Sequence, residues 1–536
     1  MKNRLLALIL SVAVMLSGVV TALSSCDISD ILGGGSENGP ENGPGSDNDT
    51  VDGSGNCDGG PDGHYDTDNS GICDGCGESV VVVVDFYGIN DLHGKFNNTD
   101  NNIGVDELTT YLKNANKSDD YTVFISSGDM WQGGAESNLT KGHIITEWMN
   151  ELDFVSMTLG NHEYDWGAEF IKSNAEIAEF PILAINIYDR ATNKPVDYCS
   201  PSVLVERGGI KIGIIGAIGD CYSSISGDKV TDVYFKVGDE LTQLVKAEAE
   251  RLRGLGAEYI VYSLHDGYGR SMSGTDYLSG NQISSYYDIA LSEGYVDLVF
   301  EGHTHQNYTF YDRHGVYHLQ CGGDNDGISH IEVSINYAND SSAVNKAEFV
   351  PTDKYASLAD DEIVKQLLEK YAEQIAAANV RLGYNSSYKN SYTLKQLVAD
   401  LYLEAGLERW GEEYDIVLGG GFISARAPYN LGVGDVYYSD LMSIFPFDNQ
   451  IVLCSIPGWA LKSRFLYTSN SDYFITVSQY GEQIEADIDD NSTYYIITDT
   501  YCSTYAYNRL TEIARFDNDT FARDLIAAYI KEGNME

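Results

Sequence analysis

Residues Val81–Gly94 read VVVVDFYGINDLHG. The run is apolar with little alternation, turns polar at Asn90, and then delivers Asp91 and His93 just before a glycine. A continuous apolar run is what a strand buried on both faces of a layered α/β protein requires. Positions i and i+2 of an extended segment point the same way, so Asp91 and His93 can reach one site together.

The same arrangement recurs downstream. VFISSG (123–128) precedes Asp129, and VSMTLG (155–160) precedes Asn161 and His162. YIVYSL (259–264) precedes His265, and DLVFEG (297–302) precedes His303 and His305. Ligands of open α/β sheets bind outside the carboxyl ends of the strands. Five strands therefore carry metal-ligand residue types to one edge. Gly94, Gly128, Gly160 and Gly302 permit tight turns there. His162 and Asp165 are three apart and share one face of a helical turn. An aspartate so placed fixes the tautomer and orientation of an imidazole. Taken singly, each motif is bland: a surface DxH, a turn with a satisfied histidine, a loop with two solvated histidines. Taken in order at strand ends, they define a site. Five of the ten histidines belong to it, leaving His64, His143, His314, His318 and His330 to structural or solvent roles.

The rest of the chain frames this region. At 536 residues it is too long for one core, so two folded domains are expected. A formal net charge of −48 argues against binding nucleic-acid polymers, which needs a basic footprint. That charge suits a soluble, self-repelling extracellular protein. MKNRLLALILSVAVMLSGVVTALSSC (1–26) has a basic start, an apolar run and small residues, the pattern of a signal peptide. Residues 27–56 are rich in Gly, Asn, Asp and Ser, the composition of a flexible tether. Cys57–Gly77 is an acidic spacer with two incomplete signatures: half of a calcium loop at Asp66, Asp68 and Ser70, and a zinc knuckle from Cys57, His64, Cys73 and Cys76. An exported chain can form disulfides, but Cys199, Cys221, Cys321, Cys454 and Cys502 read equally well as small buried hydrophobes.

SLADDEIVKQLLEKYAEQIAAANVRLG (357–383) predicts one long helix, with Ser357 as its cap and Gly383 as its stop. Ile363, Leu367, Tyr371 and Ile375 form its apolar stripe. The expected organisation is a signal peptide over 1–25, a tether with a Cys/Asp-rich motif over 26–79, an α/β domain over 80–350, a linker helix over 351–385, and an α+β domain over 386–536.

The set DLHG, GDMWQGG, GNHEYD, LHDG and GHTH, spread over residues 83–323, resembles the calcineurin-like metallophosphoesterases. Within them it is most similar to the bacterial 5′-nucleotidase/UDP-sugar hydrolase/2′,3′-cyclic phosphodiesterase branch. The resemblance implies a four-layer α/β/β/α sandwich followed by a C-terminal substrate-binding domain. It implies two divalent ions, of which Zn, Mn or Fe suit mixed N/O donors. One would take Asp91, His93, Asp129 and His305, the other Asp129, Asn161, His265 and His303, with Asp129 bridging. His162, held by Asp165, would act on the phosphoryl group. The substrate would be a small phosphate ester, a nucleotide first of all, and the enzyme a monomer. Leu23-Ser24-Ser25-Cys26 resembles a lipobox, implying an extracytoplasmic protein anchored to the membrane through lipid on Cys26; a plain signal peptide is the alternative.

YDIVLGGGFISARAPYNLGVGDVYYSDLMSIFPFDNQIV (414–452) resembles the branch's C-terminal domain. By that resemblance Gly420, Gly421 and Arg426 touch substrate, and Phe447 and Tyr501 clamp a base. Three departures stand out: Leu418 replaces an asparagine, Ile423 an arginine, and Tyr507 an aspartate that grips ribose. Alternatives are a cyclic-nucleotide phosphodiesterase, a phosphatase for another small ester, or a surface binding lipoprotein on an inactive hydrolase scaffold.

Overall fold

The computed structural model describes residues 64–98, 103–116, 120–268, 294–312, 314–426, 429–504, 509–516 and 520–535, together with the backbone of Thr275–Tyr277. The N-terminal segment, Cys26, Cys57 and Tyr507 lie outside the described residues.

Two sheets form the catalytic lobe. In the first, the strands run in the order Ser341–Pro351, Gly327–Asn336, Val81–Ile89, Thr122–Ser126, Ser156–Thr158, Ile182–Leu183. The last four are parallel, so their carboxyl ends share one edge. In the second, the order is Thr275–Tyr277, Asn307–Tyr311, Tyr317–Cys321, Leu298–Glu301, Tyr259–His265, Ile210–Ile218, Ser202–Arg207. The two sheets meet face to face. Val84, Phe86, Val123 and Ile125 of the first pack with Ile212, Ile214, Val261 and Phe300 of the second. The opposite faces carry helices. Tyr87, Ile89 and Phe124 pack on the helices Val105–Ala115 and His143–Asn150. Ile260, Tyr262 and Leu264 pack on Asp239–Gly254. The result is the expected α/β/β/α sandwich, and it explains the unbroken apolar runs. Both faces of these strands are buried, so neither parity of position is left for polar residues.

The C-terminal lobe holds a five-stranded sheet in the order Tyr473–Val477, Ile416–Phe422, Thr493–Asp499, Ile451–Pro457, Thr511–Arg515. Helices Ser391–Trp410 and Ala522–Lys531 share its core.

The connecting segment differs from one long helix. It consists of a helix over Glu362–Lys370, a short turn over Ala372–Ile375 and a 3₁₀ turn over Ala376–Asn379. Asp361 is the cap in place of Ser357: its carboxylate accepts the backbone N–H of Ile363 at 2.9 Å and also pairs with Lys113 at 2.8 Å. An aspartate with a cation to hold it is the better anchor. Leu367, Tyr371 and Ile375 bury against the catalytic lobe, and this docking sets the path of the chain. Gly383 ends no helix. It lies in the strand Arg381–Asn385, where an added Cβ would stand 2.8 Å from Ile530.

The cysteines behave as hydrophobes. Cys221, Cys321, Cys454 and Cys502 are buried, Cys199 is half-buried, and none of the five is in a disulfide among the described residues.

Candidate active site

Asp91, Asp129, Asn161, His265 and His303 lie at or just beyond the carboxyl ends of five strands, three from the first sheet and two from the second. Asp91, His93, Asp129, Asn161 and His265 are buried. Asp91, His93 and His305 form one tight group of donor atoms; Asp91, Asp129 and His265 form another. Asn161 joins the second group: its Oδ1 lies 2.9 Å from His303 Nδ1 and 3.3 Å from His265 Nε2. All seven expected ligands are therefore brought together.

The backbone bears strain to do this. Asp91, His93, Asp129, His303 and His305 have positive φ, between 49° and 69°. Non-glycine residues in this region cost energy, and such residues gather where the surrounding structure and the site's function over-determine them. Gly160 is required by contact. A Cβ there would lie 2.2 Å from Asp129 Oδ1.

Hydrogen bonds decide which nitrogens carry protons. His93 Nδ1 is 3.0 Å from the Gln132 carbonyl, and His265 Nδ1 is 2.6 Å from that of Ser127. A ring nitrogen facing a carbonyl is the protonated one, so in the neutral ring each Nε2 presents a lone pair. These lone pairs face other acceptors. His93 Nε2 is 2.9 Å from His305 Nε2, and His265 Nε2 is 3.1 Å from Asp129 Oδ2. Acceptors at such distances repel unless a cation or a proton lies between them. Burial pulls the His265 pKa down, but Asp129, and behind it Asp91, carries it up to about 10. Burial likewise raises Asp129, yet His265 and His162 hold its carboxyl well below the usual range. A site that draws protons this strongly, and whose donors are imidazole, carboxylate and amide oxygen, fits divalent transition ions.

His162 stands beside the cluster. Its Nδ1 is 2.8 Å from Asp165 Oδ2, as the three-residue spacing implied, and its backbone N–H donates to Asp129 Oδ1 at 2.8 Å.

Two residues were missed in the sequence reading. Glu163 is fully buried and accepts backbone N–H bonds from Asp129 and Met130, both at 2.9 Å, and from Gly160 at 2.7 Å. It ties the Asp129 loop to the Asn161 loop. Burial, with Asp129 beside it, pushes its pKa up to about 7. A buried carboxylate is not distinguishable in sequence from a solvated one. Gln132 is also buried; its Oε1 accepts from Arg426 Nε at 3.2 Å, while its Nε2 has no partner among the described residues.

The C-terminal lobe reaches the site through the two loops that carry Arg426 and Phe447. Lys141 pairs with Asp448 at 2.8 Å, and Asp448 is held in turn by Arg523. Phe447, next to Asp448 in the loop, places its ring 5.9 Å from that of His162, and the Arg426 guanidinium lies 5.5 Å from the Phe447 ring centre. Arg426 and Phe447 are thus delivered to the cluster. The other three expected substrate residues have neighbours within the C-terminal lobe. Tyr501 lies 5.9 Å from the ring of Phe422. Gly420 and Gly421 serve packing: a Cβ on Gly420 would stand 2.1 Å from the Phe474 carbonyl, and one on Gly421 would stand 2.7 Å from Cys502 Sγ. Leu418 and Ile423 are core residues.

A buried cluster of imidazole, carboxylate and amide donors at the shared strand edge of an α/β/β/α sandwich is the site of a metal-dependent phosphoester hydrolase. Residues 85–307 match the model of the calcineurin-like phosphoesterases, so this stretch is a domain of that kind. It is 33% identical over 229 residues to an apyrase of Tabanus yao, covering 40% of this chain and 38% of that protein. It is 23% identical over 523 residues to a 5′-nucleotidase of Diplobatis ommata, covering 83% and 86%. The fold is similar to the 5′-nucleotidase precursor of Thermus thermophilus, with a TM-score of 0.62 at 17% identity over 84% of this chain and 96% of that one. Among the described residues no helix is long and apolar enough to cross a membrane.

Proposed function

We propose that the chain is an extracytoplasmic, dinuclear-metal hydrolase of the 5′-nucleotidase type, releasing phosphate from nucleotides. The observation that supports this most is the convergence of imidazole Nε2 atoms on the Asp91 and Asp129 carboxylates next to His162. In this reading Asp91, His93, Asp129 and His305 hold one ion, and Asp129, Asn161, His265 and His303 hold the other. When bound, the ions supply Lewis acidity toward phosphoryl oxygens and lower the pKa of water. Asp165 orients His162, which donates a hydrogen bond to a phosphoryl oxygen as negative charge grows there. Arg426, with Gln132, binds the same oxygens. Phe447 offers its ring to the base. Nucleotides are the favoured substrates because the Diplobatis relative and the Thermus structure are named 5′-nucleotidases. Export, attachment through lipid on Cys26 and the boundaries at 80, 350 and 386 belong to the same reading.

Specificity follows from what the second lobe lacks. Leu418 and Ile423 are buried and have no polar group to give a sugar. A site built to hydrogen-bond its substrate rejects analogues strongly, whereas an apolar slot discriminates by only ~1–3 kcal/mol. A screen of nucleoside monophosphates, 2′,3′-cyclic nucleotides and base-free phosphate esters is expected to show several monophosphates hydrolysed with similar kcat/KM. Preference for one by ~1000-fold, about 4 kcal/mol, would reject the broad reading. Failure to hydrolyse any monophosphate would reject the 5′-nucleotidase reading itself.

Phe447→Ala tests the base-binding face. Loss of stacking worth about 0.5–1.5 kcal/mol corresponds to a two- to tenfold rise in KM for nucleotides. The KM for a base-free ester should stay unchanged, since the metal donors are untouched. Equal rises for both substrates would show that Phe447 only supports the loop.

A further inference from the structure

Just upstream of the first strand the chain reads HYDTDNSGICDGCG over His64–Gly77, and the hydrolytic site makes no use of it. Cys73 Sγ, Cys76 Sγ and a ring nitrogen of His64 lie within 4.8 Å of one another, with Cys76 Sγ 3.4 Å from His64 Nδ1. We propose that Cys73, Cys76 and His64 hold one structural zinc ion, separate from the catalytic metals.

The local backbone is built for a metal-bound thiolate. Neither cysteine is in a disulfide among the described residues. Gly77 N–H closes the turn on the Cys73 carbonyl at 2.9 Å, and Gly77 itself has φ of 77°. Nothing lies within 4 Å of where its Cβ would be, so the glycine serves the turn's handedness and not crowding. The Tyr337 ring stands edge-on to His64 with centres 6.0 Å apart and limits its orientation.

The dimensions suit zinc. Bonds of about 2.3 Å to sulfur and about 2.0 Å to nitrogen place tetrahedral neighbours about 3.5–3.8 Å apart. Two thiolates and an imidazole select zinc over the hard ions calcium and magnesium. The nearby aspartates are otherwise engaged. Asp66 accepts from the backbone of Ser70 at 2.9 Å and Gly71 at 2.8 Å, and from Asn336 Nδ2 at 2.7 Å. That last bond ties the segment to the end of the strand Gly327–Asn336. The fourth position on the ion goes to solvent or another donor; Cys57 is outside the described residues, and the site stands without it. The ion would close the loop that feeds the first sheet, where Val80 N–H reaches the Gly71 carbonyl at 3.0 Å.

The test uses the full chain in a Cys221→Ser background, because Cys221 lies beside His265 and would confuse a thiolate signal. Metal is counted by elemental analysis, and cobalt is loaded to read its thiolate charge-transfer band. Cys73→Ser/Cys76→Ser is expected to hold one zinc fewer per chain, to lack the band, and to keep kcat/KM within about twofold. His64→Ala should keep the band and bind zinc about ten- to a hundredfold more weakly. Should the double variant fail to fold, a mercurial thiol reagent added to the parent protein should release one zinc per chain. An equal zinc count in parent and double variant overturns the proposal. So does absence of the thiolate band, a Cys73–Cys76 disulfide found by mass spectrometry, or calcium in place of zinc.

Discussion

Asp129→Ala is expected to abolish phosphate-ester hydrolysis, by at least about a thousandfold in kcat/KM, and to strip the catalytic metal. The carboxylate is buried, accepts the His162 backbone N–H at 2.8 Å through Oδ1, and faces His265 Nε2 at 3.1 Å through Oδ2. Removing it deletes a ligand, frees the His162 loop and leaves His265 buried without its counter-charge. Removal of one partner from a buried charged pair costs about 3–5 kcal/mol, and a thousandfold loss is about 4 kcal/mol. Steady-state kinetics and elemental analysis on the same preparation check both halves. Retained activity or an unchanged metal count would show that Asp129 is not a ligand. Asp129→Asn separates charge from shape. It should keep the backbone bond to His162 and still lose metal.

His162→Ala is expected to lower kcat by about 10²–10³ with metal content unchanged, the loss typical of removing one donor to a developing oxyanion. Its Nδ1 faces Asp165 at 2.8 Å, so Nδ1 carries a proton. Nε2 then donates only in the imidazolium form, with Asp165 as its counter-ion. The backbone N–H that holds Asp129 survives the substitution, so the ligand loop should stay in place. A fall in kcat and kcat/KM together identifies an interaction made in the transition state. Loss of metal in this variant would instead make His162 a ligand. Asp165→Asn should give a smaller loss in the same direction, because it weakens the orientation and the charge of the ring without removing it.

The candidate metal donors were readable because each combines two local signals. An apolar run marks a doubly buried strand, and the polar residue and glycine after it mark its carboxyl end. The layer order was implied by the family resemblance, and the same runs agree with it. The linker helix was read as continuous because its stripe is periodic, but periodicity carries no information about which of several acidic residues will find a cation. Lys113, which pairs with Asp361, lies on a helix far away in sequence. Gly420 and Gly421 were read as substrate contacts from their motif. Their neighbours, Phe474 and Cys502, come from other strands and loops, and only the folded sheet reveals that the space above both is taken.

By itself the sequence pointed to the two-lobed plan and the candidate metal donors, which rest on length, residue type and periodicity within single segments, and, through its family resemblance, to the sandwich. Only the tertiary structure decided the left-handed backbone at five donors, the clasp that Glu163 makes between two loops, and the placing of Arg426 on Gln132 from the other lobe. It also decided that Tyr501 meets Phe422. Each of these depends on atoms that come together from distant parts of the chain. The energy that favours them, burial of a carboxylate among N–H donors or of a guanidinium against an amide, exists only once the cores have formed and excluded water.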